Sequence, residues 1–431
     1  MSVPRVVPLP ARTDVGSLAW SSVVAASRAA SELAGAPEPR LDPARIAVAY
    51  SSERWLRIAG ARPVAFAPLS GFFRTADGWV RTHGNYSHHA DALRRALSLD
   101  LEADRDAVAA ALSARPTGEA ITSVDARGGL CVRVDRERPE ADAALRESEL
   151  VEVTRLGAAP PSSRPDGPRH APLHGVRVLD LTRVIAGPVA TRTLALLGAD
   201  VLRVDPPQPT EIAVQHLDTG HGKRSTLLDL TASTARTRFD ALLETADIVA
   251  LGYRPAGLDR LGLSPATLAA RRPGLIVLQL SAWGASGRRG FDSLVQAESG
   301  IAWLESVDGE TPGVLPAQAL DHSAGYLLAA AVLQLLARRA VEGGSWLAET
   351  SLRRVAADLL GRPRTAGPEP TASIADASAH VQEFSVAGID LTTAAPALAY
   401  PGGPRAFAAP RPWGGDRPVW RDRVTGQPEA V

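Results

Sequence analysis

From Val176 onward the chain alternates short apolar runs with helical segments, a pattern that few folds accept. Val176–Leu181 reads as a strand, Pro188–Leu197 as a helix with proline in its first turn, and Asp200–Asp205 as a second strand. Ser225–Leu230, Asp247–Tyr253 and Leu275–Trp283 continue as strands, with helices over Ala235–Thr245 and Pro265–Arg271 between them. Strands joined by helices of this length predict an open, mostly parallel α/β sheet with right-handed crossovers. The runs Ile248-Val-Ala-Leu251 and Leu275-Ile-Val-Leu278 lack polar alternation, as strands covered on both faces should. Helices are expected next at Asp292–Leu304 and His322–Arg339.

The first 165 residues read differently. Helical stretches at Ser17–Ala34 and His88–Ser98 mix with short strand candidates at Ile46–Ala49 and Leu130–Val134. A Pro/Gly/Ser-rich segment from Ala158 to Pro168 has too little apolar surface to order itself and is read as a linker. From about Gly361 the chain is rich in Pro, Ala and Gly and gives no clear periodicity, and no internal repeat is evident. A length of 431 residues accommodates two or three domains.

Charge narrows the function classes. Lys+Arg and Asp+Glu each number 47, and no long basic run occurs, which argues against a dedicated nucleic-acid or acidic-membrane binder. The single cysteine, Cys131, excludes an internal disulfide and reads as a buried strand thiol rather than a nucleophile. The nine histidines show no metal-binding spacing, so no metal is expected. The N-terminus lacks a signal-peptide core, and the apolar stretch Tyr326–Ala337 is short of the ~20 residues a membrane span needs. The expected location is the cytoplasm.

Open parallel sheets bind ligands at the carboxyl ends of their strands. The first strand ends in Thr182-Arg183-Val-Ile-Ala-Gly187-Pro188 and opens a helix, whose free N–H groups suit an anion or a carbonyl oxygen. Neither a Gly-x-Gly-x-x-Gly fingerprint nor a P-loop occurs there, which weakens simple nucleotide-enzyme readings. Basic side chains recur near predicted strand ends: Arg183, Arg203, Lys223 (the only lysine) with Arg224, Arg260, and Arg288 with Arg289. Either they converge on a polyphosphate or they are solvated surface arginines. Asp321, just before a long apolar helix, reads as an N-cap or as a nucleophile kept ionised by the helix terminus, and the two roles are compatible. His322 reads as a structural or solvent-facing neighbour.

The motifs also assemble into a family resemblance. Pro172-Leu-His-Gly175-Val-Arg-Val-Leu-Asp-Leu-Thr-Arg-Val-Ile-Ala-Gly187-Pro188, followed by Leu197-Gly-Ala-Asp-Val-Leu-Arg-Val-Asp-Pro-Pro207, resembles the opening of family III (CaiB/BaiF) CoA-transferases, which include formyl-CoA transferases and α-methylacyl-CoA racemases. Gly222-Lys-Arg-Ser225, the stretch from Gly252 to Leu263, Ser281-Ala-Trp-Gly284, Gly290-Phe-Asp292 and Ala319-Leu-Asp321 follow in family order. The resemblance covers about residues 172–350. It implies a Rossmann-like CoA-binding and catalytic domain over 172–360, acyl-CoA and a carboxylic acid as substrates, and a homodimer, since family dimers interlock like chain links. Asp321 matches the family's catalytic aspartate, which forms an aspartyl anhydride and then an aspartyl-CoA thioester. Ile185, Ala186, Lys223, Tyr253, Arg260 and Arg289 fall on or near CoA-contacting positions.

Departures from the family pattern carry information too. Phe291 stands where the family's racemases carry histidine, and a phenyl ring moves no proton, so racemisation is disfavoured. Ile185 stands where formyl-CoA transferases often have glutamine. The domain order is rearranged: residues 1–157 look like a small α+β domain placed first, around an Asp77-Gly78-Trp79 turn, with 158–171 as linker. Residues 361–431 form a tail returning to the large domain, where Pro412-Trp-Gly-Gly-Asp416 loosely resembles the family's closing segment. The expected activity is an acyl-CoA:carboxylate CoA-transferase. The alternatives are another acyl-CoA activity on the same fold (racemase, isomerase or hydrolase) or a non-catalytic CoA-binding paralogue.

Overall fold

A computed structural model describes residues 6–64, 66–364, 374–423, 427 and 429. Its centre is a seven-stranded sheet ordered Glu152–Gly157, Ser345–Ser351, Ile276–Ser281, Ile248–Leu251, Arg177–Leu181, Asp200–Asp205, Arg224–Leu227. All neighbours are parallel except the Glu152–Gly157 edge strand. The mostly parallel α/β class expected from the apolar runs is the one found.

Both faces of the sheet are covered. On one, Val178, Ile248, Ala250, Ile276 and Leu278 pack against the helices Ala186–Leu196, Ala319–Glu342 and Val15–Leu33. On the other, Leu179, Leu202, Val249 and Val277 pack against Phe239, Leu242, Leu258, Leu268 and Trp420. This two-sided burial is why the strands read as unbroken apolar runs.

The 24-residue helix Ala319–Glu342 is long and apolar enough to cross a membrane, and here it is mostly buried inside the protein. It runs between Ala186–Leu196 and Val15–Leu33, so it is apolar nearly all round. The small residues Ala19, Ser22, Ala26 and Ala30 on Val15–Leu33 allow the close approach. Segments expected to share one region, 1–157, thus go to different places: Val15–Leu33 lies on the large core, and Glu152–Gly157 joins its sheet. A compact α+β module remains between them. Its antiparallel strands Gly71–Thr75, Gly78–Thr82 and Cys131–Arg133 pack Phe73, Val80 and Cys131 against Leu93, Leu112 and Val124 of three helices. Asp77 fixes its turn by accepting from Thr117 N and Oγ1, both at 2.7 Å. Burial raises the Cys131 thiol to about 12, which suits an inert strand residue.

Ile46–Ala49, expected as a strand, is helical within Pro43–Tyr50. Asp42 accepts from Ala44 N and Pro43 occupies the first turn, so the capping residues overrule an apolar run too short to show a period. The segment 158–168 has no helix or strand but is pinned, with Ala159 O accepting from Gly344 N and Arg164 donating to Glu32 O. Part of the expected tail, 365–373 and most of 424–431, lies outside the described residues. Within the described part, Gly414 N donates to Ser225 Oγ and Trp420 Nε1 to Leu242 O, both in the large domain.

Candidate active site

In chain order the sheet grows outward from Arg177–Leu181 to Asp200–Asp205 and Arg224–Leu227, then returns to Ile248–Leu251 on the other side. The reversal opens a crevice beyond the carboxyl ends of Arg177–Leu181 and Ile248–Leu251, where open α/β sheets bind ligands. The segments leaving those ends, Arg183–Ala186 and Gly252–Arg254, line it. Val184 there has φ +71°, a left-handed conformation costly for a β-branched residue.

Two glycines bring the nucleophile candidate to this crevice. Gly187 lies so close to Thr182 that an added Cβ would sit 2.4 Å from its side chain, so the first helix can start directly against its own strand end. Gly325, one turn past Asp321, faces Ala186 O, which would lie 2.6 Å from an added Cβ. The bare backbone there lets the long helix rest on the start of Ala186–Leu196, and Asp321 arrives beside Ile185 and Ala186.

Asp321 is the third residue of its helix, and Gln318 takes the cap position, so the N-cap reading does not hold. Its N–H donates to Asp292 Oδ2 at 2.9 Å, and Asp292 also accepts from Gln296 Nε2 at 2.5 Å. Burial first, and then the charge of Asp292, push the Asp321 carboxyl well above the usual carboxylate range. Burial holds Asp292 itself up at about 6. The expectation that the helix terminus keeps Asp321 ionised is therefore corrected: desolvation and a like charge outweigh the dipole. His322 is buried, stacks on Tyr50 with centroids 5.2 Å apart, and has been pushed down to about 3 by burial.

Asp321 opens onto two cavities, one of about 350 Å3 and one of about 60 Å3. The larger is bordered by Ala186, Tyr253 and Arg289 and by three further arginines, Arg183, Arg254 and Arg288. Asp205 orients part of this wall, accepting from Arg183 Nε at 3.1 Å and Tyr253 O–H at 3.4 Å. Burial alone would raise Asp205, but Arg203 and Arg183 more than offset it and keep the carboxyl low. Ile185 lines the smaller cavity.

Lys223 and Arg260 are not brought to either cavity. Lys223 is 2 % exposed, and its Nζ donates to Asp180 Oδ2 at 3.0 Å, which makes it a buried structural partner. Arg260 is exposed on the short helix Pro255–Arg260 and donates to Ala256 O. Arg203, another basic candidate, is fully buried between Asp205 and Glu211. Surface and buried arginines look alike in sequence, because the partner that absorbs the charge comes from elsewhere in the chain.

Several lining residues were not singled out from sequence: Glu53, Phe66, Asn85, Asp218, and His83 with His89. His83 stacks on Phe291, ring centroids 3.7 Å apart and nearly coplanar. Burial pushes both His83 and His89 down to about 3, so both are neutral. The run His83-Gly-Asn-Tyr-Ser-His-His89 was the available signal, a dense polar-aromatic loop. Among the described residues no group of three His, Cys, Asp or Glu side chains is arranged to hold a metal ion.

Comparison with known proteins matches residues 173–382 to the model of CoA-transferase family III. A probable fatty acyl-CoA transferase, Rv3272, of Mycobacterium tuberculosis is 36% identical over 205 residues, covering 44% of this chain and 52% of that protein. The succinyl-CoA–L-malate CoA-transferase alpha subunit of Chloroflexus aurantiacus is 31% identical over 215 residues, covering 45% of this chain and 50% of that one. A crystal structure of Rv3272 is 35% identical with a TM-score of 0.41, covering 44% of this chain and 56% of that chain. The chain spans about half the length of these curated relatives. Over residues 173–382 the chain is similar to CoA-transferase family III, in the segment where its motifs follow the family's order.

Proposed function

We propose that the chain moves CoA from an acyl-CoA thioester to a carboxylic acid, with Asp321 as nucleophile. The observation that carries this reading is the position of Asp321 where a large arginine-rimmed cavity meets a smaller one with no arginine or lysine in its lining. Arg183, Arg254, Arg288 and Arg289 suit the phosphates of CoA, and the small cavity suits the acyl group. The ionised Asp321 carboxylate attacks the thioester carbonyl, the carbon–sulfur bond breaks, and CoA leaves as thiolate from a mixed anhydride. The thiolate then attacks the aspartyl carbonyl, releasing the donor acid and leaving an aspartyl-CoA thioester. The acceptor carboxylate repeats the two steps in reverse and restores Asp321. The N–H groups of Ala186 and Gly187, at the start of Ala186–Leu196, are the donors this mechanism uses to stabilise the tetrahedral oxyanions.

Incubation with a panel of small acyl-CoAs, hydroxylamine trapping and intact-mass measurement test this. The expected result is a modification mapped to Asp321 and absent in Asp321→Asn. CoA binding with no adduct from any donor would sink the reading. A second reading, proton exchange at the acyl α-carbon, is favoured by one observation: His83 puts an imidazole against Phe291. Deuterium incorporation from deuterated water into a chiral 2-methylacyl-CoA would support it, and transfer alone incorporates none.

The raised Asp321 carboxyl sets a pH dependence. Attack needs the ionised form, so the transfer rate should climb as pH rises through the elevated Asp321 pKa and fall below it. Asp292→Asn removes the like charge while keeping an acceptor for Asp321 N–H, so the acidic limb should move to lower pH. A pH–rate profile of the two proteins checks this, and an unmoved limb would mean that burial alone sets the ionisation.

A further inference from the structure

The small cavity is walled unlike the large one. Its polar lining consists of carboxyls, amides, the hydroxyls of Thr219 and Ser293 and one neutral imidazole, and among the described residues no lysine or arginine lines it. Glu53 comes from the short helix Ser52–Trp55 and Asp218 from Ala213–Thr219, both facing the chamber that Asp321 enters. Ser52 Oγ ties the two helices together by donating to Asp218 Oδ2 at 2.6 Å.

Asp218 is 8 % exposed, yet its Oδ1 has no hydrogen-bond partner. Gln215 Oε1 in the same wall and Nδ1 of His83, which is 5 % exposed, also lack partners. Unmade acceptor bonds inside a protein cost about 1–3 kcal/mol each, so this wall is set up to receive a donor. Burial pushes Asp218 up and holds Glu53 at about 7, outweighing the arginines Arg192, Arg54 and Arg62 that act on them from outside the lining. The cations around the chamber stay outside its lining: Arg54 and Arg62 act on Glu53 without bordering the cavity. Arg81 stacks on Phe66 and Phe72, and Arg192 donates to the Asp218 carbonyl and covers Phe407.

We infer that the acid handled in this chamber is a short amino acid whose protonated amine sits against Asp218, Glu53 and Gln215 while its carboxyl reaches Asp321. The inference rests on the transferase reading and names the class of acid that the site takes. A second carboxylate in place of the amine would meet Glu53 and Asp218 with no arginine or lysine in the lining, a repulsive arrangement that excludes dicarboxylates. A plain alkyl end would leave the Asp218 and Gln215 acceptors unpaired. Glu53 lies outside the family-matched segment 173–382, so part of this selectivity belongs to the rearranged N-terminal part of the chain.

β-Alanine, propionate and malonate are three-carbon probes that share one carboxylate and carry an ammonium, a hydrogen or a second carboxylate at the far end. Two readouts are taken on the full chain: calorimetric binding of each acid, and transfer of CoA to each from an active donor. β-Alanine should win over propionate by at least about tenfold, with malonate weakest. Asp218→Asn and Glu53→Gln should each shrink the β-alanine to propionate ratio by a similar factor. Equal use of the three acids, a preference for malonate, or a ratio untouched by both substitutions would overturn the inference. Binding selectivity that both substitutions erase, in a protein that transfers CoA to no acid, would uphold the chamber and refute the transferase reading.

Discussion

Asp321→Asn is expected to lower CoA transfer by at least ~10³-fold, about 4 kcal/mol of lost transition-state stabilisation. A carboxamide is nearly the same shape as a carboxylate but is not a nucleophile. The backbone N–H of residue 321 still donates to Asp292, so the helix start is kept. Removing a carboxyl whose ionisation burial and Asp292 both oppose should leave the Tm equal or higher. A thioester-transfer assay beside a thermal melt measures both effects. Retention of more than a tenth of the activity in a folded variant would remove Asp321 from the chemistry.

Lys223→Met carries the largest expected effect on stability. The ammonium is buried and donates to Asp180 Oδ2, whose carboxylate also accepts from Thr191 Oγ1 at 2.6 Å and from Thr182 N at 3.1 Å through its other oxygen. Methionine fills similar space but leaves the Asp180 carboxylate buried without its counter-charge, a loss of about 3–5 kcal/mol. Urea unfolding should show this loss. CoA affinity of the remaining folded protein should stay within about twofold, since Lys223 borders neither cavity. A CoA-contacting lysine would give the opposite pattern, intact stability with weakened binding.

Much of the large domain was legible because its signals are local. Strands such as Ile248–Leu251 announce themselves by unbroken apolar runs, and the helix Ala186–Leu196 by the Gly-Pro at its start. Asp321, Tyr253, Ala186, Ile185 and Arg289 were reachable from motif order, because each follows a strand end or opens a helix at the crevice. Ile46–Ala49 was misread because four apolar residues carry no period, and its capping residues decided the matter. Nothing local distinguishes Lys223, Arg203 and Arg260 from Arg183 and Arg254. Lys223 and Arg203 are held by buried carboxylates away from the cavities and Arg260 faces solvent, while Arg254 and Arg183, the latter also paired with Asp205, border the large cavity.

By itself the amino-acid sequence determined a mostly parallel α/β sheet over the second part of the chain, its likeness to one family and the aspartate at its crevice. These follow from periodicity and from motifs within a few residues of one another. Only the tertiary structure decided that Val15–Leu33 braces the helix bearing Asp321, and that Glu53, Phe66 and His83 enclose a chamber with Asp218. It also decided that burial and Asp292 together raise the Asp321 carboxyl's pKa. Those outcomes depend on desolvation and on charges far apart in sequence, and both quantities exist only once the chain has closed around them.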